Sequence, residues 1–425
     1  MSDSTRPLVL GIDFGTSNSA AALVDASGQL HTITLDGARA EMPTALFFSS
    51  ETHTVLYGSA AMQAYLNGTE GRLLRALKSL LGSSLMDEYT AVDGQSARFF
   101  DIVVLFFKEL KRRCEAQVGQ PLSRAMLGRP VHFVDDNPER DALAQETLAR
   151  AAREAGFAEI AFQAEPIAAA LDYERRVTVE TTALVVDIGG GTSDFTVIRL
   201  NPERSAQRDR TADILATTGV HIGGTDFDRL LDLATVMPLL GYRHIGTGGR
   251  PVPNSVFFDL STWHLIHQAY TRKALHFAKE LWTDYTDQTL HRRLMDALED
   301  QHGHRMLAGV EAAKIACSLT GDDALVDLDF LGHGPSEHLG ATISAPGMAD
   351  ALQNALGQVV QCAQACVQQS GLAAVDVVYL TGGSSALRPL IDALHAAMPA
   401  ATLVEGNRFG GVAAGLAYAG ATQSF

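Results

Sequence analysis

Two short stretches of this 425-residue chain set one aspartate just ahead of a small-residue turn: LGIDFGTSNSAAAL at 10–23 and VVDIGGGTSDFTVI at 185–198. Each reads apolar, apolar, Asp, apolar, Gly, then Gly, Thr and Ser, and leaves in a strand pattern. Backbone N–H groups crowded into such a turn can converge on an anion, and charge-assisted bonds of that kind contribute about 1.5–3 kcal/mol each. The carboxylates of Asp13 and Asp187 would repel a phosphate by themselves. With Mg²⁺ between, they become suitable ligands, often through water. Gly189, Gly190 and Gly191 cost a strand conformational order, which is reasonable where another group must lie close to the backbone. One such turn reads equally well as a tight hairpin; its duplication, Asp for Asp, favours a phosphate clamp.

A third glycine site, Thr381-Gly382-Gly383-Ser384, follows the apolar run VDVVYL (375–380) and is expected to open a helix. A helix N-terminus there would suit a further phosphate or ribose contact. None of the three is a Walker A loop, because no Gly-Lys-Ser/Thr follows the glycines, and none matches the dinucleotide pattern G-x-G-x-x-G.

The elements that must hold these turns alternate between strand and helix signals, which predicts an α/β fold. Residues 8–14 and 19–24 read as two strands around a turn, and 101–118 and 139–155 as helices. The second helix has Asn137 as cap, Pro138 in its first turn and Gly156 as its stop. Residues 350–369 carry Leu352, Leu356, Val359, Val360, Ala363 and Val367 on one helical face. The paired hairpins lie too far apart for a short solenoid repeat and read as two halves of a pseudo-symmetric molecule. Between 241 and 305 the character changes to the Gly/Pro-rich GYRHIGTGGRPVPNS, then Trp263, Trp282 and a histidine-rich run, predicting an inserted subdomain. His302 and His304 are expected in a solvated loop, since no carboxylate or thiol set accompanies them.

Composition bounds the function. Hydrophobic residues at 46% and charged residues at 19% describe an ordinary globular protein. A net charge of −16 disfavours nucleic acid and anionic membrane as partners. It also means that a bound phosphate must be held by local dipoles, a metal ion or a few placed cations. No run of 18 apolar residues suggests a membrane span. The N-terminus enters a strand pattern without a signal segment, and four cysteines form no disulfide framework, so a reducing cytoplasm is the expected setting. Cys362 and Cys366, four apart on a helix, are expected as buried thiols rather than metal ligands.

GIDFGTSNS, VVDIGGGTSDF and YLTGGSS, in this order, resemble the phosphate-1, phosphate-2 and adenosine motifs of the actin/hexokinase/heat-shock ATPase superfamily. AEPIAAALDY (164–173), GVHIGGTDFD (219–228) and GRPVHFVDDNPERDAL (128–143) narrow the resemblance to the heat shock protein 70 family. It covers nearly the whole chain and is weakest across 241–305. It implies a two-lobed actin-like ATPase fold of duplicated ribonuclease-H-like units. Lobe I would span 1–178 with a small insert at about 38–100. Lobe II would span 179–405 with an inserted subdomain at about 229–305, and 406–425 would form a C-terminal helix closing back on lobe I.

The resemblance also implies roles. Asp13 and Asp187 would face hydrated Mg²⁺, while Gly15, Thr16, Ser17, Asn18, Gly189, Gly190, Gly191 and Thr192 would cradle the phosphates of ATP or ADP. Lys78, in ALKSLLG, would neutralise γ-phosphate charge, and Glu165, Thr192 and Asp194 would orient water and metal for in-line transfer. Gly223 and Gly224 belong to the GVHIGGTDFD segment. On the nucleoside side, Glu311, Lys314 and Ser318 share a helix face by their spacing of three and four, completed by Gly382, Gly383 and Ser384. Pro130 and Arg140 match positions that relay nucleotide state in the family.

Three departures stand out. Ile315 replaces the family's adenine-stacking arginine, forfeiting roughly 0.5–2 kcal/mol of cation–π contact. Arg388 is only a candidate match for the family's next arginine, because GGSSALRP is one residue longer than the family pattern. The family also continues into a peptide-binding β-sandwich, which a chain ending at Phe425 is expected to lack.

The resulting expectation is a Mg-dependent, slow ATPase acting as a two-lobe nucleotide switch, with a chaperone-related role and a co-chaperone or other protein as partner. The alternatives are a nucleotide-binding regulatory or scaffold module without turnover, a small-molecule kinase of the same superfamily, and an actin-like filament former.

Overall fold

Near-continuous apolar and small-residue runs around a tight turn make Val9–Phe14 (β1) and Asn18–Val24 (β2) an antiparallel hairpin buried on both faces, with Asp13 opposite Ala20. Leu30–Thr32 (β3) pairs antiparallel with β2. The chain is described here by a computed structural model covering residues 8–134, 137–175, 177–204, 211–263, 265–332, 338–406 and 410–422. After β3 it builds a small three-stranded sheet from Ala45–Ser49, Val55–Tyr57 and Gly71–Arg75, with Ser59–Leu66 (α1) inserted before the last strand.

Phe99–Val118 (α2) follows, and its apolar stripe meets β1 where the Phe14 ring lies 5.7 Å from Phe106 and 5.0 Å from Phe107. All three are buried, and removing each such side chain from water contributes about 1.5–3 kcal/mol. Arg124–Arg129 (β4) pairs parallel with β1. Pro138–Glu154 (α3) then begins at the predicted cap, Asn137 accepting from the Arg140 N–H at 3.1 Å. Glu159–Ala164 (β5) pairs parallel with β4 and runs directly into Glu165–Glu174 (α4).

The second half repeats this plan. Thr181–Ile188 (β6), Ser193–Leu200 (β7) and Ile214–Val220 (β8) form an antiparallel meander. Gly224–Thr235 (α5), short helices over 255–299, and Gly303–Thr320 (α6) lead to the long Ala345–Gln369 (α7). Val377–Thr381 (β9) and Thr402–Glu405 (β10), separated by Arg388–Ala397 (α8), add in parallel beside β6. The strand orders are β5-β4-β1-β2-β3 and β10-β9-β6-β7-β8, the same topology twice. That duplication places Asp13 and Asp187 at equivalent positions, each near the end of a first strand.

Gly411–Thr422 (α9) and α4 join the two sheets. One buried cluster unites Val9 and Met126 of the first sheet with Val185 and Val377 of the second, through Ile167, Ala168 and Leu416. A Cβ at Gly415 would overlap the Ala168 carbonyl oxygen, so this close crossing of α9 over α4 requires glycine. Among the described residues no helix is long and apolar enough to cross a membrane.

Two local expectations are corrected. The TGGSS segment does not open a helix: residues 382–387 form a turn, and α8 starts only at Arg388. Gly382 there has φ +83°, which suits a turn and not a helical first residue. His304 is not in a solvated loop; it is buried in the first turn of α6, where Trp263 and Tyr65 enclose it. His302 is half-buried against the Phe330 ring at 4.6 Å. Within the predicted insert, His264 lies outside the described residues.

Candidate functional site

Between the two sheets lies a cleft of about 920 Å³, within the range of small-molecule sites. Its floor is made by the two hairpins, which touch: a Cβ on Gly190 would overlap Ser17 Oγ. Gly15, Thr16, Ser17 and Asn18 enter from one side, and Gly189, Gly190, Gly191 and Thr192 from the other.

Each turn is held from behind by a threonine. Thr44 donates from Oγ1 to the Gly15 carbonyl and from its N–H to the Ser17 carbonyl, both at 2.8 Å. Thr225 donates to the Gly190 carbonyl from its N–H at 2.8 Å and from Oγ1 at 2.7 Å, while the Gly224 N–H takes the Gly189 carbonyl at 2.9 Å. Tying the carbonyls back removes acceptor oxygens that an anion would find repulsive. Nothing lies within 4 Å of where a Gly191 side chain would start, so that position opens into the cleft.

Gly223, a predicted site residue, does not line the cleft. A Cβ there would come within 2.7 Å of the Gly190 carbonyl group, so Gly223 packs behind the turn and supports it.

Asp13, Glu165, Asp187 and Asp194 all line the floor, with Lys78 among them. Lys78 Nζ stands 2.7 Å from Glu165 Oε1, and both side chains are nearly buried. Burial, with Glu165 adding to it and Lys78 opposing, pushes Asp13 up to about 7. Burial and the neighbouring Glu165, Asp194 and Asp13 hold Asp187 well above the usual carboxylate range. Burial alone would lower the Lys78 ammonium, but Glu165, Asp13 and Asp187 reverse that and raise it. One ammonium therefore faces more carboxylate than it can neutralise. That deficit is what a divalent cation would correct, so the donor set fits Mg²⁺. Among the described residues no three His, Cys, Asp or Glu side chains form a direct ligand cluster. Thr192 Oγ1 donates to Asp194 Oδ2 at 2.9 Å and orients that carboxylate.

The upper wall is α6. Glu311, Lys314, Ile315, Ser318 and Leu319 line the cleft from this one helix. Lys314 is already paired, its Nζ 2.7 Å from Asp228 Oδ1 with both groups buried. Burial raises Asp228 to about 6 even so. Ser318 is buried and its hydroxyl reaches Met348 Sδ at 3.8 Å. Ile315 and Leu319 are the exposed members, at 48% and 59%, which gives this wall an apolar surface.

Gly382, Gly383 and Ser384 complete the lining. The Ser384 N–H donates to the Ile188 carbonyl at 3.1 Å, and a Cβ on Gly382 would overlap Asp187 Oδ1. Arg388 starts α8 and is not among the lining residues. Pro130 and Arg140 do line the cleft, and Arg140 Nε donates to the Gly82 carbonyl at 3.0 Å.

Sequence reasoning missed several residues. Asp228 lies inside the quoted GVHIGGTDFD, and its FD ending at a helix start was an available signal. Arg75, three residues before Lys78, lines the cleft and has burial lowering its pKa against the charges of Glu311 and Asp228. Thr44 carried no sequence signal, because its role depends on a turn far away in the chain.

Comparison with known proteins supplies the context. A family model described as Hsp70 protein matches residues 9–236. A protein named chaperone protein DnaK from Thermosipho melanesiensis is 31% identical over 233 residues, 54% of this chain and 36% of that protein. Its namesake from Thermosipho africanus is 32% identical over 231 residues, 53% of this chain and 35% of that protein. A DnaK from Mycoplasmopsis synoviae is 29% identical over 224 residues. The matched stretch thus spans about a third of the length of these relatives.

Proposed function

The chain belongs to the Hsp70 protein family, and on that premise we propose that it is a Mg-dependent, slowly hydrolysing ATPase whose lobes close on nucleotide. The observation that carries this reading is the contact of two glycine hairpins, Ser17 against Gly190, above a floor of carboxylates centred on Lys78. Amides of the two turns would bind the phosphate oxygens. Asp13 and Asp187 would hold a Mg²⁺, which would supply positive charge to neutralise the phosphates.

Hydrolysis needs a water to attack the γ-phosphorus while the bond to the β,γ-bridging oxygen breaks, leaving ADP and phosphate. Lys78 would shift from Glu165 toward the γ-phosphate and stabilise its charge. Glu165, released from that pair, would accept a hydrogen bond from the attacking water and orient it. Asp194, fixed by Thr192, would help hold the water and cation network in line. Glu311 and Lys314 with its Asp228 partner would form the ribose side, and Ile315 the base side. In this reading the halves divide near residue 178, and α9 closes back on the first. The four cysteines are free thiols, which suits the proposed cytoplasmic setting. The proposed role is a chaperone-related switch read by a protein partner such as a co-chaperone.

Thermal denaturation with and without Mg-ATP, followed by steady-state phosphate release, tests the reading. A rise in melting temperature that needs both Mg²⁺ and nucleotide, with slow phosphate release, is expected. No shift with ATP or ADP would end it, and binding without release would reduce it to a nucleotide-binding module.

A further inference from the structure

On the nucleoside side of the cleft, the phase of α6 decides what a ligand meets. Glu311, Ile315 and Leu319 follow one another at four-residue spacing and share one face, while Lys314 and Ser318 share the neighbouring one. All five line the cleft, but with very unequal exposure. Lys314 and Ser318 are each 6% exposed, against 48% for Ile315 and 59% for Leu319. The surface that this stretch of helix offers a ligand is therefore two aliphatic side chains. Ala386 and Leu387, after the TGGSS turn, line the same cleft with further apolar surface.

The polar groups nearby are engaged within the protein. Lys314 Nζ is 2.7 Å from Asp228 Oδ1, and the Ser318 hydroxyl is directed at Met348 Sδ, 3.8 Å away. The charge of Glu311 acts on the Arg75 guanidinium, and the Ser385 hydroxyl donates to the Gly382 carbonyl at 2.8 Å. Turning Lys314 toward a base would leave the buried Asp228 carboxylate without its cation, which is costly.

A base stacks through its face, and every base presents one. Adenine and guanine differ at the edge, where an amino donor in the first is replaced by a carbonyl acceptor in the second. Aliphatic side chains cannot read that exchange. A preference larger than about tenfold needs at least one hydrogen bond that does, since one bond of ordinary strength contributes about that factor.

We propose that this cleft selects a nucleotide by its phosphates and not by its base, so that guanine nucleotides are held and hydrolysed nearly as well as adenine nucleotides, with Ile315 and Leu319 as an unselective stacking platform. The proposal rests on the phosphate clamp described above and adds the class of nucleotide that the clamp serves. Lys78, Glu165 and Asp194 act at the γ-phosphate, remote from the base. With GTP, water attacks the same phosphorus and GDP leaves in place of ADP.

Titration calorimetry of the unmutated protein with Mg-ATP, Mg-GTP and Mg-tripolyphosphate, joined to phosphate release from the two nucleotides, tests this. Dissociation constants for ATP and GTP within about tenfold of each other are expected, both tighter than that of tripolyphosphate. The double variant Ile315→Ala/Leu319→Ala should weaken both nucleotides by the same factor, about tenfold, and leave tripolyphosphate unchanged. Its melting temperature should hold, because both side chains are exposed. GTP binding more than tenfold weaker than ATP, or a variant that changes the ratio between them, would overturn the proposal. Tripolyphosphate binding as tightly as the nucleotides would overturn the platform, and phosphate release from ATP alone would overturn the use of both. If neither nucleotide nor tripolyphosphate binds, the clamp itself fails; tight ATP with GTP rejected leaves the clamp standing and sinks only the loss of base selection.

Discussion

Lys78 and Glu165 approach to 2.7 Å from opposite ends of the first lobe, one from the segment after the small sheet and the other from the first turn of α4. Neither can point elsewhere without leaving a nearly buried charge unpaired. Lys78→Ala is therefore expected to act twice. Turnover should fall by about 10²–10³, the usual loss for one preorganised electrostatic contact. Stability should also fall, because Glu165 is left without its cation. The double variant Lys78→Ala/Glu165→Gln should recover the melting temperature and not the turnover; recovery of both would refute the catalytic role.

Asp13 sets folding against the metal-holding role proposed for it. Its carboxyl is pushed to about 7 by burial and by Glu165, so the ionised form is disfavoured in the bare protein. Asp13→Asn should raise the melting temperature without ligand, by about 1 °C for each kcal/mol relieved in a chain of this size. The same variant should lose most of the extra stabilisation that Mg²⁺ adds to ATP. Calorimetry with ATP, with and without Mg²⁺, reads both effects.

Gly191 and Gly415 form a contrasting pair. Gly191 faces open space, whereas a side chain on Gly415 would run into the Ala168 backbone. Gly191→Ala should leave the melting temperature nearly unchanged and weaken ATP binding, because a methyl group would intrude where phosphate is proposed to sit. Gly415→Ala should do the reverse, lowering stability by about 1–3 kcal/mol as overpacked sites do. Equal ATP affinity in Gly191→Ala would argue against the hairpin cradle.

Ile315 is 48% exposed on the α6 wall, with Leu319 beside it. Ile315→Arg should tighten binding of ATP and ADP several-fold, by about 0.5–2 kcal/mol of stacking and cation–π contact. Titration calorimetry against both nucleotides tests this. No gain would mean that the base does not rest on this wall.

His304 gives the chain a pH signature. Burial, with Arg75 and His267 adding to it, lowers its pKa from 6.5 to about 4. Between those values the unfolded chain binds more protons than the folded one, so this group's contribution to stability is complete above about 6.5 and is lost as pH falls toward 4. His304→Gln retains hydrogen-bonding capacity and removes the titration. Relative to that variant, the unmutated protein should lose on the order of 2 kcal/mol between pH 7 and pH 4 in denaturant titrations. A constant difference across that range would contradict a neutral buried imidazole.

Much of the site was legible along the chain because its parts are contiguous. This kind of hairpin needs its apolar run, its carboxylate and its glycines within about ten residues, and those local requirements are written in order at 10–23 and 185–198. The helix at 138–154 was equally readable, since Asn137 and Pro138 act on the backbone beside them. The repeated motif also implied the duplicated sheet, because a second strand–turn–strand unit needs its own half of the molecule.

Other features had no local signature. That Ser17 meets Gly190, that Lys314 is committed to Asp228 and that Thr44 braces a turn nearly thirty residues away depend on how separate segments converge. His304 shows the limit most clearly. In sequence it is one histidine in a polar run, while in the folded chain it is an almost dry imidazole between Tyr65 and Trp263. Residue order determined the turns, their carboxylates and the backbone chemistry of the clamp, because these act over short range. Only the tertiary structure decided which charges are paired, which are buried in excess, and where the lobes hold one another, because burial and Coulomb interaction depend on distance in space.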